Sequence, residues 1–196
     1  MKPYLIIKYI FDFLIAIIAI IILSPFFLVL SLIIAFDSKG PIFFIQKRIG
    51  ANSKIFPIIK FRTLKIETPK DTPTHLLDNP DYYVTRVGRF LRKTSLDEIP
   101  QVFNIFLCQM SIVGPRPALW NQDDLMEERK KYGADKLRPG LTGLAQISGR
   151  DTLTIQDKAR LDGEYFKKVS FGLDVKIFFI TIAKVLKADG IKEGKN

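Results

Sequence analysis

Histidine and cysteine are nearly missing from this 196-residue chain, which has one of each, His75 and Cys108. A single cysteine excludes an intramolecular disulfide and makes a reducing, cytosolic setting the simpler expectation. His75 lies in the polar stretch Pro69-Lys70-Asp71-Thr72-Pro73-Thr74-His75, which reads as a surface loop, so a Ser-His-Asp triad has no suitable base. Zinc-type Cys/His spacing is absent, and so are the phosphate-binding patterns G-x-x-x-x-G-K-[ST] and G-x-G-x-x-G. An enzyme with this inventory works with carboxylates, cations, backbone amides and a hard, oxygen-bound metal such as Mg²⁺.

Charge is missing from one long segment. Residues 1–36 carry only Lys2, Lys8 and Asp12, and the 24 residues from Phe13 to Phe36 carry none. Nearly all of these are Ile, Leu, Phe, Ala or Val, and about 20 suffice to cross a bilayer. No small-residue cleavage site follows, which argues against a signal peptide. Ser24-Pro25 falls mid-segment, where proline removes a backbone hydrogen bond and bends or breaks a helix into two arms. Basic residues flank both sides (Lys2 and Lys8; Lys39, Lys47 and Arg48), so charge asymmetry sets no orientation. A kinked span and a re-entrant hairpin both fit.

The remainder carries almost all of the net +10 charge, which suits anionic lipid, phosphate-bearing substrates or nucleic acid. After Gly40-Pro41, residues 42–45 and 55–62 read as a β-hairpin around a turn at 50–53, with Pro57 demoting its arm to an edge or bulge. Alternation about Phe61 puts Lys60 and Arg62 on one strand face. A Pro-rich loop (67–80) follows, and then Arg86, Arg89 and Arg92 at a helical spacing of three. They lead into Thr94-Ser95-Leu96-Asp97-Glu98-Ile99-Pro100.

Ser95 and Glu98 have capping-box spacing and Pro100 fits a first turn, so a helix is expected to begin between Ser95 and Asp97. One reading of the two carboxylates is purely structural: acids are common in a first helical turn, and a capping box alone stabilises by about 0.5–2 kcal/mol. In the other, the helix dipole and the arginines keep Asp97 ionised as a nucleophile, while Glu98 holds a metal ion or a proton. Val102, Phe103, Phe106 and Leu107 read as core. Pro115-Arg116-Pro117 presents a guanidinium on a stiff loop suited to a phosphate or a planar base. Residues 118–132 read as a charged helix with Trp120 as a packing anchor. The glycines beside Arg138 and Thr142 allow amides to approach an anion. A last apolar helix, Leu173 to Lys187, carries lysines suited to a membrane surface. No internal repeat and no linker divides residues 40–188.

Taken together, Lys60-Phe61-Arg62-Thr63, Thr94 to Gln101, Gly114-Pro115-Arg116-Pro117, Arg138-Pro139-Gly140-Leu141-Thr142-Gly143 and Gly149-Arg150 stand in the order found in bacterial sugar transferases. The chain resembles a small monotopic phosphoglycosyl transferase over nearly its whole length. That resemblance implies an α+β, mainly helical fold: a re-entrant membrane helix hairpin broken at Ser24-Pro25 (residues 1–37), a compact cytoplasmic catalytic domain with a short β-hairpin and amphipathic interfacial helices (38–188), and a polar tail (189–196).

It implies transfer of a sugar 1-phosphate from a UDP-sugar to polyprenyl (undecaprenyl) phosphate, assisted by Mg²⁺, at the cytoplasmic face of a bacterial inner membrane. UMP is released, and glycoconjugate assembly begins. By resemblance Asp97 is the nucleophile that forms a covalent phosphosugar intermediate, Glu98 has a metal or acid/base role, both are metal ligands, and Pro115, Arg116 and Pro117 serve the uridine end. Lys60, Arg62, Arg92, Arg116, Arg138 and Arg150 are candidates to neutralise phosphates, with Thr142 beside them. Leu64 and Ser148 depart from the residues common in the family, methionine and asparagine. The rival reading is a membrane-anchored basic binding module without catalysis; nucleic acid is not its expected partner, because the aromatics lie in apolar runs and not among cations.

Overall fold

A computed structural model describes residues 3–68, 80–149 and 152–187. It is a mainly helical α+β fold with two small sheets. Helix α1 runs unbroken from Pro3 to Asp37. The expected break at Ser24-Pro25 is absent from its hydrogen-bonded course, and the physical reason lies one residue before the proline. Pro25 has no N–H for the carbonyl of Ile21, and the Ser24 hydroxyl donates to that oxygen instead, at 2.8 Å.

One stripe of α1 is buried at helical spacing: Leu5, Lys8, Asp12, Ala16, Phe27, Leu30 and Ile34, with Ala19, Ile20 and Leu23 partly buried between. Its other faces leave Ile6, Ile10, Ile18, Ile22, Leu28 and Leu32 exposed. An 18-residue window of mean hydropathy 3.1 makes α1 apolar and long enough to cross a membrane. Such an apolar surface is stable against lipid and not against water, so α1 gives the protein a membrane association.

Strands β1 (Phe43–Ile49) and β2 (Ile55–Phe61) form the expected antiparallel hairpin, and β4 (Ala118–Leu119) pairs with β1 on the other side. β2 is therefore an edge, as Pro57 requires. A second sheet pairs β3 (Ser111–Val113) in parallel with β5 (Gly140–Thr142). Around them lie α2 (Pro80–Tyr83), α3 (Arg86–Lys93), α4 (Gln101–Phe106), α5 (Asp123–Tyr132), α6 (Leu144–Ser148), α7 (Ile155–Lys168) and α8 (Phe171–Leu186).

The main core lies where α1 crosses the β-hairpin and α4. Phe27 packs on Phe61 and Phe103 with ring centroids 5.7 and 5.3 Å apart, over Leu91, Val102, Ile105 and Met110. A polar lock holds the other end of α1. Lys8 Nζ lies 3.2 Å from both Asp12 and Asp174, Ser111 Oγ donates to Asp12, and Tyr4 and Tyr165 donate to Asp174. Lys8 is thus a buried partner of two carboxylates and not the flanking cation that the sequence suggests. At the C-terminal end the Val87 amide donates to Asp37 Oδ2 at 3.2 Å.

Two packing expectations fail. Trp120 is 43% exposed, because the chain forms β4 before α5 starts at Asp123. Phe106 and Leu107 are also exposed, with Phe106 stacked on Phe13 of α1. α8 keeps Ile177 inside and turns Phe171, Phe178, Phe179, Ile182 and Leu186 outward, beside Lys176 and Lys187.

Candidate active site

The Asp97-Glu98 pair lies in a single 3₁₀ turn, Leu96–Glu98, between α3 and α4. The capping box is not formed. Ser95 adopts the left-handed conformation (φ 55°), its side chain caps nothing, and the α-helix begins at Gln101 after Pro100. Glu98 cannot reach back to cap because its carboxylate is taken by cations from two other elements. Lys60 Nζ of β2 donates to Glu98 Oε1 at 2.7 Å, and Arg116 Nη2 to the same oxygen at 3.3 Å.

The side chains of Lys60 and Glu98 are 16% and 13% exposed, while that of Arg116 is 38% exposed and faces solvent. Glu98 is therefore the inner end of a cationic cleft lined by Arg48, Ile58, Lys60, Gln101, Arg116 and Pro117. Asn104, fully buried on α4, fixes this turn against the hairpin. Its amide donates to Pro57 O (2.7 Å) and accepts from Ile59 N (3.0 Å), satisfying the free edge of β2 one residue before Lys60.

Asp97 is half-buried. Burial raises its carboxyl from 3.8 to about 6; Lys60, Arg92 and Arg116 pull the other way, and the neighbouring Glu98 adds to the rise. In the functional reading of the sequence, the arginines and the helix dipole keep Asp97 ionised. The structure shows desolvation winning, with Asp97 still mostly ionised at neutral pH. Of the three arginines on α3, Arg86 and Arg89 point to solvent. Arg92 is the one that acts on Asp97, and its Nε donates to Thr63 Oγ1 at 2.9 Å.

The loop from Gly114 to Pro117 joins the two sheets, and every residue in it is held by its backbone. Gly114 N donates to Thr142 O, Gly140 N to Pro115 O, Arg129 Nη2 to Arg116 O and Arg48 Nη1 to Pro117 O, at 2.8 to 3.1 Å. Glycine is required at 114, because a side chain there would strike the Arg138 carbonyl. Arg129 is itself buried and paired with Asp162 of α7 at 2.8 Å. Arg116 thus projects from an immobile loop, with little freedom to lose on binding an anion.

The other candidates fall elsewhere. Arg62 follows the last residue of β2, so strand alternation no longer applies, and it turns away from Lys60. It is buried and donates to Ser38 O (2.5 Å), Ser38 Oγ (3.0 Å) and Ile34 O (3.5 Å), tying down the C-terminal end of α1. Arg138 lies over the Tyr9 ring of α1 at 4.1 Å. The Thr142 hydroxyl shares a 2.6 Å hydrogen bond with Thr181 of α8. These two residues tie the strand β5 region to α1 and α8. Arg150, His75 and the tail 189–196 lie outside the described residues.

Sequence reasoning missed Arg48, Gln101, Asn104 and Arg129. Arg48 had a legible signal: register pairs Phe44 with Lys60 and Gln46 with Ile58, which places Arg48 on the Lys60 face of the hairpin.

Burial also lowers the Arg48 guanidinium to about 10, with Arg116 as the like-charged neighbour and Glu98 as the opposing one. Four cations, Arg48, Lys60, Arg92 and Arg116, thus surround two carboxylates. The arrangement can bind a polyanion against a nucleophilic carboxylate. As a metal site it lacks an all-protein cage, since no group of three or more His, Cys, Asp or Glu residues able to hold a metal occurs among the described residues. Two adjacent carboxylates fit Mg²⁺, which commonly takes one or two carboxylates and completes its shell with substrate phosphates and water.

Comparison with known proteins settles the class. The model of the bacterial sugar transferase family matches residues 3–188. The chain belongs to this family. The exopolysaccharide production protein ExoY of Sinorhizobium fredii is 39% identical over 194 residues, covering 92% of this chain and 85% of that protein. The uncharacterised sugar transferase EpsL of Bacillus subtilis is 37% identical over 189 residues, covering 96% and 92%. A Klebsiella pneumoniae protein named UDP-glucose:undecaprenyl-phosphate glucose-1-phosphate transferase is 39% identical over 180 residues. That match covers 88% of this chain but 38% of the relative. The sugar transferase is therefore an enzyme whose clustered carboxylates and cations are its candidate catalytic centre.

Proposed function

We propose that this sugar transferase moves a sugar 1-phosphate from a UDP-sugar to polyprenyl phosphate at the cytoplasmic face of the bacterial inner membrane, releasing UMP. The observation that carries this reading is the half-buried Asp97 beside a cleft where Lys60 and Arg116 converge on Glu98. A diphosphate entering that cleft meets charge-assisted donors on a rigid loop and strand.

An ionised Asp97 oxygen attacks the sugar-bearing phosphorus, the P–O bond to UMP breaks, and UMP leaves with that electron pair. The sugar phosphate is then an acyl phosphate on Asp97. A phosphate oxygen of the lipid attacks the same phosphorus, the bond to Asp97 breaks, and the carboxylate is regenerated. Repulsion between a carboxylate and a phosphodiester is the main obstacle, and Lys60, Arg92 and Arg116 reduce it. Asp97 and Glu98 would hold Mg²⁺, which would supply further neutralisation of the diphosphate charge.

The membrane arrangement follows the same logic. A straight 35-residue helix would rise about 50 Å. Yet Tyr4 near one end and Asp37 at the other both bond to the domain, and the buried stripe continues on either side of Pro25. These contacts support a monotopic α1 that re-enters the face it left, by a bend at Pro25 without a break in its hydrogen-bonded course, over a span that would carry one end across the bilayer. Labelling in intact cells tests it, using Pro3→Cys and Lys39→Cys in a Cys108→Ser background. Labelling from one side only is expected at both positions, and opposite sides would establish a span.

The reaction is tested by UMP release from purified protein with Mg²⁺, polyprenyl phosphate and a panel of UDP-sugars beginning with UDP-glucose, run beside Asp97→Asn. Without acceptor, the intact wild-type protein should gain the mass of one phosphosugar. UMP release by the asparagine variant at the wild-type rate would refute the covalent route. A folded protein in membrane that binds UDP-sugars but transfers none would favour the binding-module reading.

A further inference from the structure

Arg48 is the cleft-lining cation that the family motifs quoted above do not contain, and its surroundings are unusual. Its Nη1 donates to Pro117 O at 3.1 Å and its Nη2 to Gln46 Oε1 at 2.8 Å, both neutral acceptors. Its Nε is buried and donates to nothing among the described residues. The cleft that it lines with Lys60 and Arg116 offers Glu98 as its carboxylate, and that carboxylate already accepts from Lys60 and Arg116.

Holding a guanidinium beside a second one without a carboxylate of its own is unfavourable, and the cost falls when an anion enters between them. Nη1 and Nη2 of Arg48 each carry a second N–H beyond the bonds to Pro117 and Gln46, and those are the donors such an anion meets. Its fork is held on both sides, by Gln46 of β1 and by the carbonyl of Pro117, the residue that follows Arg116, and both arginines line the same cleft.

We propose that Arg48 is a substrate-binding residue that, together with Arg116, holds a phosphate oxyanion of the donor nucleotide's diphosphate. This rests on the reading of the protein as a UDP-sugar-dependent transferase. The lipid phosphate has the same chemistry. The donor is favoured because Arg48 also grips the loop that presents Arg116, so one guanidinium couples loop position to the bound diphosphate.

The test uses the full chain in detergent micelles, with UDP and uridine as calorimetric probes and the variants Arg48→Gln and Arg48→Lys. Arg48→Gln is expected to weaken UDP about tenfold or more, the usual effect of losing a charge-assisted hydrogen bond, while uridine binds as to the wild type. Arg48→Lys restores part of the loss. In turnover, the KM for the UDP-sugar rises while that for polyprenyl phosphate stays constant.

Parallel losses of UDP and uridine would show that Arg48 only supports the loop and would overturn the proposal. So would unchanged UDP affinity, or a rise confined to the KM of the lipid. Should neither variant fold, dicarbonyl labelling of Arg48 in the wild type decides: protection by UDP but not by uridine supports the assignment, and equal labelling overturns it. The two readings fail separately. UDP binding that depends on Arg48 without UMP release from any donor sinks the transferase reading alone, whereas normal UMP release with wild-type donor KM in Arg48→Gln sinks this assignment alone.

Discussion

Replacing Asp97 by asparagine should abolish transfer and at the same time make the protein more stable. Burial raises the Asp97 carboxyl from 3.8 to about 6, so the folded state holds the ionised form at a cost that the unfolded chain does not bear. A shift of roughly 2 units at 1.36 kcal/mol each gives about 3 kcal/mol, and solvent screening at a half-buried group lowers this to about 1–3 kcal/mol. Asparagine keeps the shape and carries no charge.

The pH dependence fixes the sign. Because the folded pKa lies above the unfolded one, the carboxyl favours folding when protonated. That contribution is complete below about pH 4 and is lost as pH rises through about 6. Asp97→Asn should therefore unfold at a higher temperature than wild type at pH 7.5, by about 2–4 °C per kcal/mol in a chain of this size. The two should converge near pH 4. Thermal unfolding in the same detergent at both pH values measures this. A variant less stable than wild type at pH 7.5, or an equal gap at both, would mean that desolvation does not dominate at Asp97.

Glu98→Gln leaves Lys60 and Arg116 without their shared carboxylate, and turnover should fall at least about 100-fold while UDP affinity holds or improves, since the cleft becomes more cationic. Asn104→Leu strands the Pro57 carbonyl and the Ile59 amide, and chemical denaturation should report a loss of about 2–4 kcal/mol. Ser24→Ala removes the donor to Ile21 O in an apolar, exposed stretch of α1, and should lower thermal stability in bilayer discs by about 1–2 kcal/mol with the domain's chemistry intact. Arg62→Met should reduce stability and leave the donor KM within about twofold, because Arg62 bonds to the end of α1 and not to Glu98.

Much of this architecture was legible from local pattern alone. Twenty-four uncharged residues identify the membrane element, alternating apolar residues around 50–53 produce the hairpin, and Pro57 marks its edge strand. Composition excluded histidine and cysteine chemistry, and adjacency singled out Asp97-Glu98 before any contact was known. These are features that a few neighbouring residues decide among themselves, through hydrophobic periodicity, the missing proline N–H and side-chain pKa.

What the sequence could not decide is what long-range packing imposes. Whether Glu98 caps its own helix or binds Lys60 and Arg116 depends on a strand 38 residues away and a loop 18 residues on. Lys60 and Arg62 look equivalent as text, but β2 stops at Phe61, so one reaches the carboxylates and the other the end of α1. Lys8 looks like a flank charge until Asp174, far along the chain, closes over it. Even the state of Asp97 is a tertiary property, because the balance of burial against nearby cations exists only once α3, β2 and the Arg116 loop are assembled around it.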